Sequence, residues 1–253
     1  MKKEIRTWAE KVKAEGKIHF FGFSTHKNMD SCLTDAAQLG WIDGIITTYN
    51  YRLMHTDPMK KAVDDCANAG IGLIAMKSQA ILLWNPHFDV GKETDVALEL
   101  NQRFIDKGFT TEQAKLKSVW ENPAIASICS HMANLTLLQA NVAAALNKTA
   151  LSFNDKQLMA RYARETSCGY CTGCAERCEE AISRAVPISD IMRYLMYYDN
   201  YGDQQQAIEL FNDLPFETRK RIMQVNYSKA EKCCPQKMPI AQLMSSAVAK
   251  LAC

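Results

Sequence analysis

Cysteine is the residue whose number and spacing point to chemistry: the 253-residue chain has ten. Four of them fall as Cys168-x2-Cys171-x2-Cys174-x3-Cys178, and Cys233 and Cys234 stand directly before Pro235. Cys32, Cys66, Cys129 and Cys253 are isolated. Zinc sites pair two C-x2-C elements far apart in sequence, so three cysteines at a spacing of three suit one tetrahedral ion poorly. The same spacing wraps thiolates round one corner of an iron–sulfur cubane, with a remote Cys-Pro as the fourth ligand. A disulfide framework belongs to short secreted chains, and a metal site in a reducing compartment is the better reading here.

The spacing can be tested against the bacterial ferredoxin run C-x2-C-x2-C-x3-C-P, whose last cysteine ligates the other cluster. Counting back from Cys234 by that spacing gives Ala230, Tyr227 and Gln224. The second motif has therefore kept only its Cys-Pro. The first has its three leading cysteines, with Glu179 in place of proline after Cys178. The inference is one [4Fe-4S] cluster on Cys168, Cys171, Cys174 and Cys234. Cys178 is left without a cluster of its own, and side chains such as Tyr227 fill the lost second site. Three alternatives stay open: Cys178 or Cys233 as the fourth ligand, zinc in place of iron, and a cluster that only staples the fold. Cys32, Cys66 and Cys129 fit core positions, since free cysteine behaves as a small hydrophobe; Cys253 reads as a bystander near the end.

The elements that must position this motif alternate in type. Apolar spacing of three and four predicts helices over 3–15 and 29–39, with a third opened by Asp57 and Pro58 and stopped at Gly70. Short apolar runs predict strands over 18–26, 44–51, 71–77 and 124–129. A loop around Asn85 and Pro86 leads to helices near 93–107 and 111–121, the latter with a Thr110-x-x-Gln113 capping box, and a further helix covers 134–146. Continuously apolar strands alternating with helices mean a parallel sheet covered by helices. Beyond about 152 only helices follow, near 154–166, 188–199, 204–213, 216–226 and 239–251. The domains are thus 1–150 and 151–253. In the second, Ile191, Leu195 and Tyr198 share a helical face that packs beside the cysteines.

A site on the first domain would form where parallel strands end. Those ends carry Ser24, Thr25, His26, Tyr49, Asn50, Tyr51, Lys77, Ser78, Gln79, Ser130 and His131. Two histidines, a lysine and two tyrosines could do acid–base work there, or could cap helices and pack. His19, His55 and His87 carry no expectation. Thirty basic against twenty-eight acidic residues give +2, so no electrostatic footprint for nucleic acid or an anionic membrane exists in the composition. No apolar run approaches the ~20 residues that span a bilayer, and the first residues lack the apolar stretch of a signal peptide. The location expected from this is cytoplasmic.

Seven stretches resemble the C-terminal portion of the aldo/keto reductases that carry an appended [4Fe-4S] ferredoxin-like domain. They are EGKIHFFGFSTH (15–26), IITTYNYRL (45–53), IGLIAMKS (71–78), SVWENPAIASICSHMANL (118–135), CGYCTGC (168–174), PISDIMRYLMYYDNYGD (187–203) and AEKCCPQKMPIAQLM (230–244). The resemblance implies a (β/α)8 barrel of eight strands. Only four strand–helix units are found, resembling units five to eight, so the fold class expected is α/β: a half (β/α)8 barrel followed by an α-helical ferredoxin-like domain. The family's catalytic residues lie on units two to four, which nothing here matches; the catalytic residues stay unknown.

Units five to eight hold the nicotinamide in that family. By resemblance Ser24 matches the serine that contacts the carboxamide, but Thr25 replaces the asparagine after it. Tyr49 matches the aromatic that stacks on the nicotinamide ring, with Ile46 where the family has glutamine. Lys77 and His131 join them as candidate NAD(P)(H) contacts from the strand ends. The stretch Ser130–Asn134 offers no cation to a 2′-phosphate. The function implied is an aldo/keto reductase-like iron–sulfur oxidoreductase, or its C-terminal part, relaying electrons through one cluster. The alternative is a non-enzymatic electron-transfer or cluster-carrying subunit. Half a barrel leaves two strand edges and an apolar sheet face to hide, so a homo-oligomer or a partner chain that completes the barrel is expected.

Overall fold

A computed structural model describes residues 3–81 and 95–252. The expectations for Asn85, Pro86, His87 and Cys253 lie outside the described residues. In chain order the first elements are α1 (Lys3–Ala14), β1 (Gly22–Thr25), α2 (Met29–Ala37), β2 (Gly44–Thr48), α3 (Asp57–Asn68) and β3 (Gly72–Met76). Then come α4 (Asp95–Ile105), α5 (Thr111–Trp120), β4 (Ile125–Cys129), α6 (Leu135–Leu146) and α7 (Phe153–Glu165). A 3-10 turn at Ser167–Gly169 opens the cysteine region, followed by α8 (Ala175–Glu180), α9 (Ile188–Asn200), α10 (Gln204–Asn212), α11 (Phe216–Arg221), α12 (Ser228–Cys233) and α13 (Ile240–Leu251).

The chain folds as α/β, with four parallel strands in the order β1-β2-β3-β4. The strands run as expected but shorter. β1 begins at Gly22; just before it the Phe21 carbonyl accepts from Asp43 N at 2.9 Å, and Phe20 is 78% exposed. β2 stops at Thr48; Tyr49 N still donates to the Met76 carbonyl at 3.1 Å, and residues 51–55 form a turn. The third helix opens at Asp57 as expected, with Thr56 as its N-cap and Pro58 in the first turn. The capping box at α5 forms as read, Thr110 Oγ1 accepting from Gln113 N and Gln113 Oε1 from Thr110 N.

One face of the sheet is packed. Ile45, Leu73 and Ala75 point under α2 and α3 and meet Leu33, Val63 and Cys66 in one core. Among the described residues the opposite face is more exposed, Gly22, Ser24 and Ile46 being exposed on it. Along it Gly22, Gly44 and Gly72 stand in one register row, and Ser24, Ile46, Ile74 and Ser127 in the next. A Cβ at Gly22 would lie 2.2 Å from the Gly44 carbonyl oxygen, so only glycine fits where the strands approach. Cys129, expected in the core, is instead exposed. It stands at the end of β4, in register with Met76, on an outer strand of the sheet.

The chain divides into two compact units, residues 1–79 with 101–160, and residues 80–100 with 161–253. The first turn of α7 is tied into the first unit. Ser152 and Asp155 bond reciprocally at its start, and Asp155 also binds Arg103 and Lys107. The second unit is built around α9. Ile191 and Leu195 are fully buried as expected, while Tyr198 is half-buried, and Met192, Phe211, Met244 and Leu251 complete the core. α8 and α12, which the sequence does not announce, flank the cysteines. Among the described residues no helix is long and apolar enough to cross a membrane.

Candidate functional site

In the second unit, Cys171, Cys174, Cys178 and Cys234 line one cavity, with Thr172, Ser189 and Gln236 beside them. Its walls are apolar: Ile188, Met192, Met238 and Ile240 are each nearly inaccessible to solvent. The chain reaches this arrangement in three steps. Gly173, at φ 75, turns the loop after Cys171. Cys174 caps α8, and Cys178 follows one helical turn later on the same side. Cys234 ends α12 and enters the cavity just before Pro235.

Burial pushes the Cys171 thiol up to about 12, and the nearby Cys174, Cys178 and Cys234 push it the same way. The Cys178 thiol likewise rises to about 12, by burial first and then by Cys174, Glu179 and Cys234. Cys174 is raised too, although Thr172 Oγ1 donates to its sulfur at 3.6 Å and opposes the shift.

Three of the four expected ligands are therefore brought together, and Cys168 is not among the lining residues. It sits half-buried in the 3-10 turn, three residues before Cys171. Cys233 is exposed and outside the lining as well. The lost second motif is closed by packing: Tyr227 and Ala230 are buried in the same core, and the Tyr227 hydroxyl donates to the Ile222 carbonyl at 2.7 Å. Among the described residues, no three histidine, cysteine, aspartate or glutamate side chains are grouped closely enough to hold a metal ion.

The strand ends of the first unit gather less. Ser24 is exposed on the sheet face opposite the packed core, and His131 is exposed after β4. Thr25 Oγ1 donates to the Lys27 carbonyl at 2.8 Å, an interaction that closes the turn after β1. Lys77 takes a left-handed φ of 54, and its carbonyl accepts from Asn50 Nδ2 at 3.1 Å. His26 Nδ1 and Thr48 Oγ1 are 3.5 Å apart. Tyr49 goes elsewhere. Its ring is 3% exposed, packed in the core below the sheet, and its hydroxyl accepts from Asn122 Nδ2 at 2.8 Å. Burial raises the Tyr49 phenol. An aromatic held this way has its hydroxyl and most of its surface committed to the core.

Tyr49 instead forms one wall of a cavity of about 330 Å³ that the sequence gives no hint of. Met54, Val63 and Met159 supply its apolar surface, and His55, Asp64, Ser118 and the Lys156–Glu121 ion pair (2.7 Å) its polar surface. Those residues come from separate elements spread over more than a hundred positions, so no local motif could reveal them.

No family model and no curated protein matches the chain. Among solved structures it is similar to an aldo-keto reductase from Bacillus halodurans in its apo form, at 16% identity and a TM-score of 0.47, covering 62% of this chain and 55% of that one. An aldo/keto reductase from Klebsiella pneumoniae in complex with NADP and acetate gives 18%, 0.46, 62% and 53% on the same measures. For an aldose reductase from Giardia lamblia they are 17%, 0.46, 64% and 50%. The chain thus spans about half the length of the solved structures it matches. A likeness this loose assigns neither a residue nor an activity to this chain.

Proposed function

We propose that this chain is part of an aldo/keto reductase-like oxidoreductase whose second unit holds one [4Fe-4S] cluster. The observation that carries this reading is the convergence of cysteine thiols on one apolar-walled cavity. Thiolates are the donors such clusters require. The Cys168-x2-Cys171-x2-Cys174 spacing in the sequence, with a remote Cys-Pro, supports a cluster over zinc. When bound, the cluster supplies one-electron transfer. The chain's own part is to hold it through Cys171, Cys174 and Cys234, with Cys168 as the fourth ligand by the sequence spacing. Met192, Met238, Ile188 and Ile240 keep water from it, a lever on reduction potential.

Anaerobic reconstitution with ferrous iron and sulfide should load about four irons per chain, with the visible absorbance of a cubane. Cys234→Ala should lose most of both. Iron-free protein, or zinc taken up in preference to iron, would overturn the proposal.

One observation favours a second reading, in which the chain only carries electrons and binds no nicotinamide. Tyr49, the residue proposed to stack on the cofactor, is bound into the core by Asn122. Titration with NADH and NADPH separates the two. Saturable quenching of tryptophan fluorescence, weakened at least several-fold by Ser24→Ala, supports the oxidoreductase with NAD(P)(H) at the strand ends. A flat titration supports the electron-transfer subunit. In either case we propose that the half-barrel is completed by a second copy or by another chain.

A further inference from the structure

The cavity beside Tyr49 has no part in either reading above. The described residues that line it all belong to residues 1–79 and 101–160, so it lies within the first unit. At about 330 Å³ it has the size of a small-molecule pocket. Met54, Val63 and Met159 give it an apolar wall, and Val63 and Met159 are buried. Methionine is flexible and polarisable, and its sulfur packs favourably against aromatic rings. The acidic and basic residues of the lining balance, Lys60 and Lys156 against Asp64 and Glu121. Glu121 is already engaged on both oxygens, by Lys156 at 2.7 Å and by Leu151 N at 2.6 Å. Such a wall favours an uncharged ligand with a ring.

Two hydroxyl-bearing residues of the wall, Tyr49 and Ser118, are 3% and 4% exposed and keep hydrogen-bonding capacity. Asn122 Oδ1 accepts from Ala124 N at 3.0 Å, which fixes the amide so that its Nδ2 faces the tyrosine. The Tyr49 hydroxyl therefore accepts in that bond, and its own proton is left to donate. Among the described residues no group accepts it. Burial raises the phenol, although the Asn122 bond opposes the shift, so the proton stays on at neutral pH. Asn122 lines the same cavity, which places the bonded pair at its wall. Ser118 Oγ donates to the Lys115 carbonyl at 2.7 Å and keeps its lone pairs as acceptors. One buried donor, one buried acceptor, a methionine wall and balanced charge together select a ligand. We propose that this cavity binds a small uncharged phenol, whose ring packs against Met54 and Met159 and whose hydroxyl accepts from Tyr49 and donates to Ser118. The site depends on neither the cluster nor the nicotinamide.

The test is isothermal titration of the full chain with para-propylphenol, with its methyl ether, which has lost the donor, and with para-propylbenzoate, which carries a charge. The phenol should saturate at about one molecule per chain with a dissociation constant below about 1 mM. The ether and the benzoate should bind at least about fivefold more weakly. Tyr49→Phe keeps the ring and should weaken the phenol by about five- to tenfold. Ser118→Ala should weaken the phenol and leave the ether unchanged, because the ether has no proton for Ser118. Met159→Trp fills the cavity and should abolish binding of both. Circular dichroism checks that each variant folds, and where Tyr49→Phe does not, the Ser118→Ala comparison decides. The proposal is overturned if the phenol does not saturate, as a cavity that takes up only water would show. It is equally overturned if folded Met159→Trp binds as wild type does, or if the phenol binds folded Tyr49→Phe or Ser118→Ala with undiminished affinity.

Discussion

Asp155→Ala is expected to destabilise the first unit by about 3 kcal/mol, a large part of the 5–15 kcal/mol typical of a whole domain. The Asp155 side chain is fully buried. Its Oδ1 accepts from Arg103 Nε at 2.8 Å, and its Oδ2 pairs with Lys107 Nζ and accepts from Ser152 N at 2.7 Å. Removing the carboxylate leaves two cations facing each other across an emptied space and undoes the cap of α7. Arg103 is 42% and Lys107 24% exposed, so water relieves part of that repulsion, and the lower end of the range for broken buried pairs applies. Asp155→Asn should cost somewhat less. It keeps the volume, but its amide turns an N–H towards a donor.

The effect carries a pH signature. Burial alone would raise the Asp155 carboxyl, but the hydrogen bonds from Lys107, Arg103 and Ser152 outweigh it and hold the group well below the usual carboxylate range. A carboxyl whose folded pKa is depressed contributes its stability above the unfolded value of about 3.9 and loses it as pH falls through the folded value. The gap between wild type and Asp155→Asn should be constant from neutral pH down to about 5, then close as the pH falls below about 4. Urea titrations followed by tryptophan fluorescence measure this directly, because Trp8, Trp41 and Trp120 lie in the first unit. A gap under about 1 kcal/mol at neutral pH would show the pair to be no stronger than a surface ion pair.

What the sequence reveals here depends on whether the signal is local. The Thr110 capping box forms as read because both its bonds lie within four residues. The four strands were legible as apolar runs, but their ends were not. Whether Phe20 or Tyr49 continues a strand depends on a neighbour's hydrogen bonds, which no single run records. α8 and α12 were missed because each is six residues long and carries charge and cysteine in place of an apolar stripe. Cys171, Cys174 and Cys234, expected as ligands from their spacing, line one cavity, but among the described residues no three such donors are grouped to hold a metal ion. The spacing placed Cys178 outside because the ferredoxin rule counts along the chain, whereas the helix brings positions 174 and 178 to one side. Tyr49 shows the limit of resemblance: a matching letter at a strand end says nothing of which way its ring turns, and here Asn122 and the core decide that.

The chain is also expected to associate, through the apolar surface its first unit leaves open. α6 is apolar nearly all round, a pattern that belongs to covered helices. Yet Leu135, Leu138, Val142 and Leu146, spaced by three and four along one stripe, are 66%, 41%, 46% and 69% exposed. The sheet of the same unit is parallel, and parallel sheets are ordinarily covered on both faces. Here Ile46 is 36% exposed, and β1 and β4 are both edges. Burying a leucine or valine side chain is worth about 1.5–3 kcal/mol, so two residues of that stripe can change an association constant by a hundredfold or more. Sedimentation of the full chain at micromolar concentration should therefore give a dimer or a larger species. Leu138→Glu with Val142→Glu should shift it to the monomer with helix content unchanged. A wild-type chain that sediments as a monomer with native circular dichroism at that concentration would sink the idea that a second copy covers this surface.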